Sequence, residues 1–220
     1  KASKQADTGD SEETQARSRV FVLNFNGNIS ASATSHLREE ITAVLTQATA
    51  NDEVLVKLES PGGMVHSYGL ASSQLDRIRK AQIPLTVCVD KVAASGGYWV
   101  STPAQRIFAE PSTITGSIGV FAVMPSFEAT LPEYGVTTEQ VRTTPLSGQP
   151  DLLGGLNPQV SALLQGQVEQ TYGRFIGYVA KSRGKTPAEI DKIGQGRIWD
   201  GGTARQLGLV DEFGNLDAAV

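Results

Sequence analysis

The sequence predicts an α/β fold in which βαβ units build a mostly parallel sheet with helices packed on its faces. Three observations predict it: runs of β-branched and aromatic residues, apolar residues at helical spacing between them, and glycine-containing turns where one gives way to the other. The first run, residues 20–25, closes on Asn26-Gly27, and Leu37, Ile41, Val44, Leu45 and Ala48 follow at helical spacing. The second, residues 54–58, ends at Ser60-Pro61-Gly62-Gly63, after which Met64, Tyr68, Ala71, Leu75 and Ile78 mark a second helix face. The third, residues 85–89, leads into Ala93-Ala94-Ser95-Gly96-Gly97-Tyr98, whose small residues permit close packing at the start of another helix. Shorter strands are expected at 106–109, 118–123 and 136–142, and residues 143–157, rich in Pro, Gly and Ser, read as a mobile loop. Asn157-Pro158 then caps the longest helix, with Val160, Leu164, Val168, Tyr172, Phe175 and Val179 on one face.

With 220 residues, 40% of them hydrophobic and 19% charged, the chain is long enough for one substantial core. Residues 1–18 are polar and lack periodicity, so they read as a tail or linker ahead of a single domain spanning 19–220. A formal net charge of −4 argues against a sequence-independent nucleic-acid binder, which needs a basic face. The single cysteine, Cys88, excludes an intrachain disulfide framework and a multi-cysteine zinc site; inside an apolar run it reads as a small core residue. No metal constellation or phosphate-binding loop is present, and no cofactor is expected. No stretch reaches the roughly 18 to 20 apolar residues of a membrane span. Because the sequence opens at Lys1, it is expected to be a processed or excised piece whose membrane anchor lies outside it.

Two glycine-rich turns stand where a strand ends and a helix begins. Each alone reads as a tight βα connection; together they have a chemical logic. Glycine lets a substrate approach the main chain, and a helix start aims free N–H groups outward. A serine flanked by small residues, Ser95, can hold its hydroxyl toward a cleft as an exposed nucleophile does. The N–H groups of Gly63 and Gly96 could then meet one developing oxyanion, with Gly62, Gly97 and His66 as candidates for the cleft wall.

Ser60-Pro61-Gly62-Gly63, Ala93-Ala94-Ser95-Gly96-Gly97-Tyr98 and Thr115-Gly116-Ser117-Ile118-Gly119-Val120 occur in the order and spacing of the signal peptide peptidase A family, which the chain resembles from Arg19 to Val220. The first half resembles the short SohB-type peptidases. From about Tyr98 onward the chain is more similar to the C-terminal repeat of the double-length SppA-type enzymes. The resemblance implies a Clp protease/crotonase-like fold and a Ser-Lys peptidase acting on hydrophobic peptides such as residual signal peptides. It implies Ser95 as nucleophile, Gly63 and Gly96 as oxyanion donors, and Ser117 as the hydroxyl that orients the lysine. It also implies a homo-oligomer attached to the periplasmic face of a bacterial inner membrane.

A serine hydroxyl needs a base, which in Ser-Lys enzymes is a lysine of lowered pKa. In single-repeat relatives that lysine follows the position of residues 141–144, yet here no lysine occurs between Lys91 and Lys181, and the guanidinium of Arg142 cannot substitute. The expected source is another domain or subunit, as in the double-length relatives. Lys91 is expected to point elsewhere, Lys181 and Lys185 to stabilise a helix end, and His66 to line the site without acting as base. Two rival readings follow: a catalytically silent scaffold without a base, and a crotonase-like acyl-CoA enzyme in which Ser95 is dispensable.

Overall fold

The computed structural model describes residues 18–220, so the tail expected at 1–18 lies outside the described residues except for Ser18. In chain order the elements are β1 (Val20–Asn26), α1 (Thr34–Leu45), β2 (Glu53–Glu59), α2 (Val65–Lys80), β3 (Leu85–Val89), β4 (Val92–Ala94), α3 (Gly96–Ser101), β5 (Arg106–Ala109) and β6 (Ile114–Gly116). A long irregular stretch with one 3-10 turn at Leu131–Tyr134 precedes α4 (Pro158–Arg183), α5 (Pro187–Ile193), β7 (Ile198–Asp200), α6 (Gly201–Gln206), β8 (Glu212–Phe213) and α7 (Leu216–Ala219).

The main sheet has five parallel strands in the order β1-β2-β3-β5-β8. Its central strand β3 is buried at every position, as a parallel strand covered on both faces must be. At the edge, β1 buries Leu23 and Phe25 and leaves Val20 and Val22 exposed, the alternation of a strand covered on one face. The helices lay their predicted stripes on this sheet: α1 buries Leu37, Ile41 and Val44, and α2 buries Tyr68, Ala71, Leu75 and Ile78. Ala48 lies beyond the end of α1, and Met64 is the residue that caps α2.

A second, three-stranded sheet, β4-β6-β7, leaves the main one immediately after β3. Here β6 runs parallel to β4 and antiparallel to β7. The strands expected at 118–123 and 136–142 do not form: Ile118 is buried, but residues 121–123 and 136–142 are exposed and no neighbouring strand takes up their backbone groups. Their place in the small sheet is held by β6, too short to register as an apolar run.

The long helix α4 is bounded as predicted. The Asn157 side chain accepts a hydrogen bond from the Val160 N–H at 2.9 Å, and Gly184 ends the helix in the left-handed region at φ 61°. Its second half docks on α3, where the Trp99 and Phe175 rings stack with centroids 4.8 Å apart. Its first half is largely exposed, with Leu164 and Val168 beside Ala122 and Met124. Next, α5 opens on a capping box, Thr186-Pro187-Ala188-Glu189, in which each end bonds the other's backbone.

One carboxylate pins the entry of the chain into the sheet. Asp52 is buried and accepts from the Arg19 side chain and backbone, both at 2.8 Å, and from the Thr49 N–H at 2.7 Å. The Arg19 guanidinium, followed by the Thr49 amide, holds the Asp52 carboxyl well below the usual carboxylate range. Its contribution is therefore complete above an unfolded pKa of about 3.9 and is lost as pH falls below it. Asp52→Asn is expected to melt below wild type at pH 6, with the gap narrowing by pH 3; a gap independent of pH in thermal melts would contradict this.

Candidate active site

Three chain segments meet where the two sheets join. Beyond the end of β2, Ser60 is bridged to Ala93 of β4, with the Ser60 N–H donating to the Val92 carbonyl at 2.9 Å and the Ala94 N–H to the Ser60 carbonyl at 3.0 Å. On the other side of β4, Ala94 is in register with Gly116, and the Ser95 N–H donates to the Gly116 carbonyl at 2.9 Å. The two serines that follow this registered pair leave the strands by the same device: Ser95 at φ 51° and Ser117 at φ 48°. Positive φ at a residue with a Cβ costs on the order of 1–3 kcal/mol and persists only where surrounding contacts impose it. At Ser95 the imposed turn runs directly into α3, whose first helical bond joins the Trp99 N–H to the Ser95 carbonyl at 3.0 Å.

The turns touch because they lack side chains. A Cβ on Gly62, itself at φ 95°, would lie 2.7 Å from both the Gly96 nitrogen and the Ser95 Cβ. One on Gly96 would lie 2.5 Å from the Tyr68 ring, one on Gly97 would overlap the Ser60 carbonyl, and one on Gly63 the Ile29 carbonyl. The structure thus brings Ser95, Gly62 and Gly96 into contact with Gly97 against Ser60, while Gly63 follows Gly62 against Ile29 and Ser117 follows the Gly116 that takes the Ser95 N–H. Gly62 and Gly97, candidates for the cleft wall, are buried in the seam between the turns, whereas Gly63 is exposed. His66 is exposed in the first turn of α2, three residues beyond Gly63.

Beside Ser117 opens a cleft of about 480 Å³ lined by Gly119, Val120, Phe121, Tyr172 and Gln195. Its Tyr172 wall is fixed: the hydroxyl donates to Asp191 at 2.8 Å and accepts from the Gln195 N–H at 2.9 Å. The cations nearest in sequence to the two turns are engaged by acids, Lys57 with Asp90 at 2.8 Å and Lys91 with Glu59 at 3.3 Å. Arg142 pairs with Asp151 in the irregular segment. Burial pushes the Cys88 thiol up to about 11, which leaves it protonated and inert in the core. Among the described residues no group of three or more His, Cys, Asp or Glu is placed to hold a metal. What the sequence did not disclose is the involvement of Tyr68, readable there only as one position of a helix face, and of the Ser60 side chain, which bonds it at 2.5 Å.

The family model described as Peptidase family S49 matches residues 77–220, and that of the Peptidase family S49 N-terminal region matches residues 1–75. The chain is 42% identical over 209 residues to a probable protease SohB of Haemophilus influenzae, covering 95% of this chain and 59% of that protein. It is 43% identical over 167 residues to Protease 4 of Salmonella typhi, covering 76% of this chain and 27% of that protein. A putative signal peptide peptidase SppA of Enterococcus faecium is 31% identical over 219 residues, 95% of this chain and 64% of that protein. The chain therefore spans less than two thirds of each of these relatives. Among solved structures, a point mutant of ClpP1 from Listeria monocytogenes superimposes with a TM-score of 0.58 at 15% identity, covering 92% of this chain and 95% of that one. The chain has the Clp protease fold.

A methyl group at Gly97 would lie 2.4 Å from the Ser60 carbonyl oxygen and has nowhere to go. Gly97→Ala is expected to lose about 1–3 kcal/mol in urea denaturation through overpacking. Gly69→Ala, at a position of α2 with no atom within 4 Å of a new Cβ, is expected to be neutral or stabilising. Equal stability of the two variants would contradict the contact.

Proposed function

Because this chain belongs to peptidase family S49, we propose that it is the nucleophile-bearing part of a Ser-Lys serine peptidase, with Ser95 as nucleophile and the lysine supplied by another domain or subunit. The observation that carries this reading is the Ser95 turn: a serine at positive φ, at the start of a helix, in contact with a glycine turn whose Gly62, the neighbour of Gly63, lies against the Gly96 nitrogen. In this reading the Ser95 oxygen attacks the scissile carbonyl while a neutral lysine amine takes the hydroxyl proton. The N–H groups of Gly63 and Gly96 hold the resulting oxyanion. Collapse breaks the C–N bond, the departing amine takes the proton back from the lysine, and water then releases the acyl group from Ser95 by the reverse proton path.

Ser117 suits the role of lysine orienter, since it follows Gly116, whose carbonyl takes the Ser95 N–H. The cleft at Ser117 is the proposed route of the incoming amine, which would meet the Val120 and Phe121 side chains there. The substrate class follows the same features. Ile29 and Met64, 68% and 49% exposed, flank Gly63, and Phe121, 84% exposed, stands beyond Ser117, so apolar side chains line the approach on both sides. Hydrophobic peptides, such as residual signal peptides, are the proposed substrates. Among the described residues no helix is long and apolar enough to cross a membrane, so the proposed attachment to the periplasmic face of an inner membrane rests on a segment other than these. The exposed apolar residues of the irregular segment, Phe127, Tyr134, Val136 and Val141 among them, suit assembly into a homo-oligomer.

A fluorophosphonate probe is expected to label the wild type, in the presence of its partner domains, and to leave Ser95→Ala unlabelled. No labelling of the wild type under those conditions would favour a silent scaffold and sink the peptidase reading. Mixed with unmutated partner domains or subunits, each lysine-to-alanine variant of this chain is expected to label at Ser95 as wild type does; loss of labelling in a folded Lys91→Ala under those conditions would overturn the borrowed base.

A further inference from the structure

Both proposed oxyanion donors rest on one side chain. The Tyr68 ring lies flat beneath Gly96, where an added Cβ would meet Cγ at 2.5 Å and both Cδ atoms at 2.9 Å. Its hydroxyl donates to the Asn28 carbonyl at 2.7 Å, which leaves its lone pair to accept from the Ser60 hydroxyl at 2.5 Å. The Ser60 oxygen in turn accepts from the Gly62 N–H at 3.1 Å. The relay thus runs from Gly62 N–H through Ser60 and Tyr68 to the Asn28 carbonyl, with each hydroxyl both donating and accepting.

The peptide that carries the Gly63 N–H is fixed from both flanks. On one side Gly62 is held by this relay. On the other the Met64 N–H donates to the Ile29 carbonyl at 2.8 Å, one residue from the carbonyl that Tyr68 itself anchors. The relay is sealed by the absence of a side chain at Gly27, where a Cβ would lie 2.7 Å from both the Ser60 and Tyr68 hydroxyls, and by Phe25, edge-on to the Tyr68 ring. Burial raises the Tyr68 pKa, so the phenol keeps the proton the relay needs.

We propose that Tyr68 is the positioning residue of the oxyanion hole: its ring face sets Gly96, and its hydroxyl, through Ser60, sets the Gly62–Gly63 peptide. The inference rests on the peptidase reading for its chemical consequence but not for its geometry. A misplacement of about 1 Å at a reacting centre costs on the order of a hundredfold in rate. A donor group held by two bonds moves when one is removed.

The test measures two quantities in wild type, Tyr68→Phe, Ser60→Ala and the double variant: amide hydrogen exchange at Gly62, and the rate of Ser95 acylation by a fluorophosphonate in the presence of partner domains. Tyr68→Phe keeps the ring and removes the hydroxyl, and exchange at β3 amides monitors the fold. Both single variants are expected to exchange Gly62 about tenfold faster or more, with β3 unchanged, and to acylate roughly 10- to 100-fold more slowly. The double variant should be no worse than the worse single one, because the two hydroxyls act in one chain. Should Tyr68→Phe fail to fold, Ser60→Ala tests the same relay. Wild-type exchange at Gly62 in the folded variants, or acylation losses that multiply, would overturn the proposal. A wild type that never acylates counts against the peptidase reading, while the Gly62 exchange still decides whether Tyr68 holds the loop.

Discussion

The contact on which the rest of this site depends is the meeting of two turns with no side chain between them. Gly62 lies against the Ser95 Cβ and the Gly96 nitrogen, and Gly97 lies against the Ser60 carbonyl. Close packing follows from the pairing there: Ser60, just beyond β2, is bridged to Ala93 of β4 and takes the Ala94 N–H on its carbonyl, while Ala94 is in register with Gly116 of β6. The parallel sheet supplies that alignment. Its strand ends set the three turns at one edge, where an open α/β fold places its ligands.

Backbone strain is present at both serines of the proposed chemistry. Ser95 and Ser117 both hold positive φ, a conformation that glycine would adopt at less cost. What holds Ser95 there is specific: its N–H is tied to Gly116, its carbonyl opens α3, and α3 is locked to α4 through the Trp99–Phe175 stack. Tyr68 plays the corresponding part for the facing turn, from within the core of α2.

How much of this was legible in the sequence depended on whether the signal was local. The strands around 54–58 and 85–89 were readable because burial on both faces makes a continuous apolar run, and the stripe of α2 because burial on one face imposes helical periodicity. The turns were readable because glycine and small residues recur where backbones touch. By contrast, β4, β6 and β7 are three-residue strands whose existence depends on partners distant in sequence, and the apolar residues of 118–123 and 136–142 imitated strands without having a neighbour to pair with. Tyr68 was visible only as an apolar position at helical spacing. Its hydroxyl chemistry exists solely because the fold brings Ser60 and the loop after β1 to it.

The central claim is that this chain holds a nucleophile and an oxyanion hole and borrows its base. Lys57 and Lys91 are engaged by Asp90 and Glu59, and the cleft at Ser117 is the proposed route of an incoming amine. The most direct measurement is a structure of the assembled enzyme that gives the distance from the Ser95 Oγ to the nearest lysine amine. The account predicts an amine at about 2.6–3.2 Å that belongs to another domain or subunit and also contacts Ser117. An amine of this chain at that distance, or none of any origin in the assembled state, would contradict it.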